Sequence, residues 1–534
     1  MFPSAARRSL SGLIPPKIAT PSAVSSGSTS TRTQAVIDFY SKLPKGPKPA
    51  SERPGGLRGR YFEGKNASGA PFLATIFILF GIGYTIDYNR GTTTVARALA
   101  LYLVGGDEKL ASFVRIADRY SVDPPTTYLD KPFLALLTSQ PPLIEYKQIN
   151  LSSKERHAEV FTPPQQWAGG SISWERGFDV VFDLTGEIGY DKPELIQISN
   201  TYQLALTLAS SAASLGALKP RAYIRLTFPF YEMKSLSSSS RGHGEDAELR
   251  PDGARGRWWH EALRGLGRVA SAEGLGLNVG VIRCGAWYGR GTWEGEVIPR
   301  VVAGHVYSYL KEDMKFLYNS DLRINTVHTA DLSQALYLAS LHLLSTHRAT
   351  VISQSGVSIP YTWVPPSTSP FSLGKDKRTS LSDLYKTVKT IVPEQEKVVL
   401  PLWNVVDEGD STQEKLGRAV ADVWGIKYGF LNSTVATLVE QFAKSDFSEM
   451  IEDVNEMHVE AWSKMLAGSS PPIASTPITP FLDEHALRKL AICLDGSKAR
   501  QQLGFKARYP TVEVGELKEI VKGFQDDGLW PKLS

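Results

Sequence analysis

From about position 91 onward, short apolar runs alternate with longer segments whose apolar residues recur every three or four positions. Residues 96–104 have the spacing of an amphipathic helix, and 112–117 have the β-branched content of a strand ending at Asp118. Residues 178–184 read as a buried strand, 194–215 as a long helix and 222–226 as a strand. A helix over 258–273 and a strand over 277–283 follow. Strands alternating with helices predict an α/β fold, a doubly wound parallel sheet that takes ligands beyond its carboxyl edge. Residues 235–256, 345–380 and 468–480 are rich in Ser, Gly, Pro and charge, and read as inserted loops.

Ahead of position 91 the pattern is different. An uncharged run of 21 residues extends from Asn66 to Ile86, with Phe72-Leu73-Ala74-Thr75-Ile76-Phe77-Ile78-Leu79-Phe80 as its apolar heart. At about 1.5 Å of rise per residue such a run spans the roughly 30 Å hydrocarbon layer of a bilayer. It predicts a single transmembrane helix over about 70–88, preceding the sheet, with Tyr84 and Tyr88 at interfacial depth. The same β-branched and aromatic content would also suit a buried parallel strand over 75–83.

Charge separates the two parts. Residues 1–70 carry 11 Lys/Arg and 3 Asp/Glu, whereas the remaining 464 carry 48 against 52. The basicity belongs to the first part, and the large remainder has no nucleic-acid footprint. No acidic residue precedes Asp38, while Arg7, Arg8, Lys17 and Arg32 stand among 12 Ser/Thr in the first 37 residues. That is the composition of a mitochondrial transit peptide over 1–36, and equally of a solvated tail. Seven Lys/Arg between positions 42 and 65 then place the N-terminus on the matrix side and the large part in the intermembrane space. Cys284 and Cys493 are too few for a disulfide framework or a metal knuckle, so no metal is expected.

Several short blocks now point to a family. Leu13-Ile14-Pro15-Pro16-Lys17-Ile18-Ala19, Ile37-Asp38-Phe39-Tyr40-Ser41-Lys42-Leu43-Pro44-Lys45-Gly46-Pro47, Gly59-Arg60-Tyr61-Phe62 and Gly64-Lys65-Asn66 follow in order. With them, residues 1–89 resemble the f subunit of fungal mitochondrial ATP synthase. The resemblance implies an inner-membrane, membrane-sector (F0) segment without catalytic residues. Its partners would be other membrane-sector subunits engaged in proton-coupled ATP synthesis.

Residues 91–530 resemble the NAD-dependent epimerase/dehydratase branch of the extended short-chain dehydrogenases. Five stretches carry this: Gly91 to Leu99, the strand ending Asp183-Leu184-Thr185-Gly186, Arg283-Cys284-Gly285-Ala286-Trp287-Tyr288-Gly289, Asn325-Thr326-Val327-His328-Thr329-Ala330-Asp331, and Leu494 to Phe505. The resemblance implies a Rossmann-like domain over 91–345 and a smaller substrate-side region over 346–534. It also implies NAD (or NADP) as cofactor and a small molecule, such as a nucleotide sugar or a steroid-like compound, as substrate or ligand.

The site residues follow one by one. Gly91, Thr92 and Thr93 stand where a phosphate-binding turn opens a helix, with Thr93 in place of the second glycine. Asp118, 27 residues after Gly91, stands where a carboxylate accepts ribose hydroxyls. Asn150 falls near the adenine position, and Thr185 and Gly186 line the cofactor through their backbone. The apolar strand expected immediately before Gly91 is missing from the sequence.

The proton relay departs further. This chemistry uses a tyrosine with a lysine one helical turn later. No tyrosine lies between Tyr231 and Tyr288, and no lysine between Lys234 and Lys311. Thr227 falls at the serine position and Tyr231 is the nearest phenol, which leaves both as weak catalytic candidates. His260 and Glu261 are adjacent on a helix, point about 100° apart and cannot act as one dyad. Trp258 and Trp259 read as packing residues, and His328 and Asp331 as hydrogen-bonded core. The chain reads as bipartite: a segment like the ATP synthase f subunit, joined to an NAD(P)-binding unit that acts on or binds a small molecule. The alternative is an inactive binding module, the joined chain being a merger of two neighbouring reading frames.

Overall fold

The computed structural model describes residues 94–107, 109–164, 177–237, 240–272, 276–317, 319–361, 383–431, 448–482 and 490–533. The chain divides into two units, Met1–Tyr88 and Asn89–Ser534, and every described residue belongs to the second. Among the described residues no helix is long and apolar enough to cross a membrane. This corrects the expected fold: no transmembrane helix precedes the sheet in the described structure. The run over about 70–88 lies outside the described residues, as do the segment 1–36 and Gly91, Thr92 and Thr93.

The described chain opens with helix α1 (Thr94–Val104), strand β1 (Val114–Asp118), helix α2 (Lys131–Leu137) and strand β2 (Ile144–Gln148). Strand β3 (Val180–Asp183) follows, and then helical turns Glu194–Gln197 and Ile198–Gln203, the second of π type, run into α3 (Leu204–Ala213). Next come β4 (Ala222–Thr227), the short antiparallel pair β5 (Tyr231–Glu232) and β6 (Arg250–Pro251), α4 (Gly253–Ser271), β7 (Val279–Cys284) and β8 (Ala286–Tyr288). Then α5 (Ile298–Leu310), β9 (Met314–Phe316), β10 (Thr326–His328), α6 (Thr329–Ser345), α7 (Arg348–Ser355) and β11 (Gly356–Ser358) lead to β12 (Val399–Val405). The chain closes with α8 (Gln413–Trp424), β13 (Tyr428–Phe430), α9 (Ser448–Ala467), α10 (Ser497–Leu503) and α11 (Val514–Asp526).

The main sheet has five strands in the order β11-β12-β7-β4-β3, parallel except for the three-residue β11. β1 and β2 form a separate parallel pair. Period-two alternation sorts the side chains: Ile224, Leu226 and Ile282 join a core with α1 and α6, while Tyr223, Val279 and Val281 join one with α3 and α4. Residues of α5, α8 and α11 build a further core around Trp530 on the C-terminal side. Residues on both sides of position 345 thus enter the main sheet.

Three expected boundaries move. α4 starts at Gly253, five residues before the predicted helix, so the loop over 235–256 is shorter than its composition suggested. Gly256 belongs in that helix for a steric reason: a Cβ there would lie 2.3 Å from the Phe230 carbonyl oxygen. The predicted loop over 345–380 contains α7 and β11.

Candidate functional site

The carboxyl ends of β1, β2 and β3 open into one cavity of about 870 Å³. Asp118 is the last residue of β1, and its Oδ1 accepts the backbone N–H of Arg119 at 2.6 Å. Asn150 follows β2, where its Oδ1 accepts the Ser152 N–H at 3.0 Å and fixes a turn. Thr185 and Gly186 follow β3. All four of these expected site residues line the cavity, and so does Asn200.

Beneath Thr185 lies a buried charge pair. Arg225 on β4 donates to Asp183 Oδ1 at 2.7 Å and to Thr185 Oγ1 at 3.1 Å. Asp183 also accepts the Thr185 N–H and hydroxyl on Oδ1, and the Tyr223 hydroxyl on Oδ2 at 2.9 Å. Arg225 lies 4.9 Å from the centroid of the Trp259 ring, while its Nε and Nη2 have no hydrogen-bond partner among the described residues. Gly186 adopts φ +132°, and a Cβ there would stand 2.4 Å from Trp259. The Trp259 Nε1–H in turn donates to the Glu187 carbonyl at 2.9 Å. This indole therefore sets the backbone path at the mouth of β3.

The two weak catalytic candidates lie elsewhere. Thr227 is buried at the end of β4, and next to it Phe228 packs on Trp287 at 4.6 Å and on Trp259 at 5.2 Å. Tyr231 is buried, and its hydroxyl lies 3.1 Å from His260 Nδ1. His260 Nε2 is 2.8 Å from the Pro360 carbonyl oxygen, which only accepts. The ring proton therefore sits on Nε2, Nδ1 is an acceptor, and Tyr231 donates to it. Burial pushes the His260 pKa down to about 4 and the Tyr231 phenol above its ordinary value. Neither Thr227 nor Tyr231 lines the cavity that holds Asp118.

The first residues of the chain identify its family. Residues 5–91 match the fungal family of the mitochondrial F1-F0 ATP synthase f subunit. The mitochondrial ATP synthase f subunit of Saccharomyces cerevisiae is 35% identical over 85 residues, which is 15% of this chain and 84% of that protein. Its counterpart in Yarrowia lipolytica is 43% identical over 89 residues, 16% of this chain and 86% of that one. The chain belongs to the family of the fungal ATP synthase f subunit. It is bipartite, with the ATP synthase segment at its N-terminus and an α/β unit behind it, and family membership makes it a mitochondrial protein.

Among solved structures, the UDP-glucose 4-epimerase of Thermotoga maritima is similar, with 11% identity and a TM-score of 0.45 over 81% of this chain and 96% of that one. The dTDP-glucose 4,6-dehydratase of Streptomyces venezuelae is similar at 14% identity and a TM-score of 0.46, over 82% and 95%.

Sequence reading missed the Asp183–Arg225 pair in this member of the ATP synthase family. A signal was present, because Arg225 is the only charge in the otherwise uncharged stretch 222–227. A charge within a buried strand implies a partner. His328 and Asp331 are placed as expected: Asp331 accepts the N–H groups of Arg508 and Tyr509, and His328 contacts Glu516 at 3.2 Å. Trp258 and Trp259 are both buried packing residues.

Proposed function

We propose that the α/β unit binds NAD or a related dinucleotide and is held at the mitochondrial inner membrane by the ATP synthase segment, among other membrane-sector subunits. One observation carries the reading: Asp118, Asn150, Thr185 and Gly186, from the carboxyl ends of three parallel strands, line one cavity. Its volume of about 870 Å³ suits an extended ligand. The residues fit such a group by chemistry. The Asp118 carboxylate accepts ribose hydroxyls, the Asn150 amide serves the base, and the backbone at Thr185 and Gly186 lines the middle. Gly91, Thr92 and Thr93, which precede α1 in sequence, are the proposed pyrophosphate donors. A bound dinucleotide would supply hydride-transfer chemistry.

The chain's own residues favour binding over turnover. Tyr231 donates a hydrogen bond to a buried neutral imidazole, away from the cavity, and has no lysine one turn on. The α/β unit on this reading is a ligand-binding module, and an epimerase-type or dehydratase-type reaction on a small molecule is the second reading. No observation favours two separate proteins over the joined chain.

The test is calorimetric titration of the full chain with NAD and NADP, paired with native electrophoresis of mitochondria in mild detergent. Saturable binding and co-migration with ATP synthase are expected. Absence of binding to either dinucleotide overturns the first half of the reading, and migration apart from ATP synthase overturns the second.

A further inference from the structure

The parallel strands fall into two groups, β1-β2 and β3-β4-β7-β12. In a doubly wound sheet each group is one mononucleotide-binding half, and a dinucleotide lies across the carboxyl ends of both. The two halves differ here. The first has polar groups at its strand ends, Asp118 on β1 and Asn150 and Ser152 after β2, and all of them line the cavity. The second is filled at its strand ends by aromatic rings.

These rings are Phe228 and Phe230 after β4, Trp259 on α4 and Trp287 on β8. The centroid of Phe228 lies 4.6 Å from that of Trp287, 5.2 Å from Trp259 and 5.5 Å from Phe230. Phe230 lies 5.6 Å from Trp259. Trp259, only 2% exposed, is held by three further contacts. Its Nε1–H donates to the Glu187 carbonyl, the Arg225 guanidinium lies over its ring, and its six-membered ring abuts Gly186 with no space for a Cβ. The cavity reaches Thr185, Gly186, Glu187 and Asn200 on this side, and none of the rings lines it. Thr227 and Tyr231 are buried and also stand outside its lining.

A nicotinamide seated over the end of β4 would have to displace Phe228 or Trp259 from this packing. Its carboxamide would then lie among rings, a costly place for a polar group without partners. The adenosine end meets no such obstacle, because its expected contacts are at β1 and β2.

We infer that the site recognises the adenosine diphosphate moiety alone. ADP, ADP-ribose and both redox forms of NAD are then equivalent ligands, and the nicotinamide of bound NAD stays in water. This rests on the nucleotide reading of the cavity and narrows it: the unit responds to compounds that carry adenosine diphosphate and is blind to the redox state of the nicotinamide.

Titration calorimetry of the full chain with ADP, ADP-ribose, NAD+, NADH and nicotinamide mononucleotide tests this. ADP, ADP-ribose, NAD+ and NADH should compete for one site with dissociation constants within about threefold of one another. Nicotinamide mononucleotide should not bind. Bound NADH should keep the emission maximum of free NADH, since its dihydronicotinamide stays hydrated. Asp118→Ala should weaken ADP and NAD+ by the same factor, and a loss confined to NAD+ would overturn the inference. So would NAD+ binding tighter than ADP and ADP-ribose by about tenfold or more, or a blue-shifted emission from bound NADH. Either of these last results seats the nicotinamide in the protein and leaves the dinucleotide reading standing. Failure of ADP, ADP-ribose and both forms of NAD to bind overturns that reading and this inference together. The ligand series on the unaltered chain decides between these outcomes without the variant.

Discussion

Phe113 and Phe178 stack at 20° between ring planes across the gap between β1 and β3, and so tie the two-stranded sheet to the five-stranded one at the amino ends of both. An aromatic pair of this kind contributes about 0.5–1.5 kcal/mol beyond simple burial. Phe178→Leu should therefore lower the unfolding free energy by about 1 kcal/mol. Limited proteolysis of the variant should cut first within 94–164, the part that the pair anchors.

Gly186 has no room for a methyl group. Its positive φ is strained for any other residue, and a Cβ would meet the Trp259 ring at 2.4 Å. Gly186→Ala should cost about 1–3 kcal/mol in thermal or denaturant unfolding. Dinucleotide binding should weaken with it, because Trp259 also holds the Glu187 carbonyl beside the cavity.

Asp183 and Arg225 are both almost wholly buried and meet at 2.7 Å. Removing one partner strands the other charge, at a cost of about 3–5 kcal/mol. Asp183→Asn should be the more damaging single change, and a joint Asp183→Asn and Arg225→Met variant should recover part of the loss. Chemical denaturation of the three variants reads the coupling directly.

Burial pushes the Asp407 carboxyl up to about 7, and the nearby carboxylates of Asp331 and Asp410 act in the same direction. The folded state thus keeps a proton that the unfolded chain, titrating near 3.8, has already lost. The associated stability is fully present below 3.8 and is lost as pH rises through about 7. Asp407→Asn should flatten the fall in melting temperature across that window. Glu261, raised to about 7 by burial, supplies slope that remains.

For the dinucleotide reading, Asp118→Ala should weaken NAD binding by about tenfold, equivalent to about 1.4 kcal/mol. Titration calorimetry with unchanged unfolding behaviour would assign the loss to the ligand contact.

The strands at β3, β4 and β7 were legible because each is a compact apolar run between polar turns. β2 was not, because Ile144-Glu145-Tyr146-Lys147-Gln148 is an edge strand whose polar side chains break the run. β12 contains Pro401, which ordinarily argues against a strand and here faces β11, where it opposes Gly356. Asp118, Asn150, Thr185 and Gly186 were expected from the family resemblance, and the fold brings these four to one cavity. The aromatic packing around Thr227 could not, since Phe228, Trp259 and Trp287 meet only after distant segments fold together. The missing apolar strand before Gly91 was visible in the sequence, and that stretch lies outside the described residues.

The outer margins of the sheets bear on how the molecule behaves when crowded. One margin ends in β11, only three residues long and antiparallel. The other ends in β2, where Glu145 and Lys147 break any flat apolar face. Short or charged edges of this kind discourage edge-to-edge self-association. Among the described residues, these two margins therefore offer a poor template to a second copy of the chain.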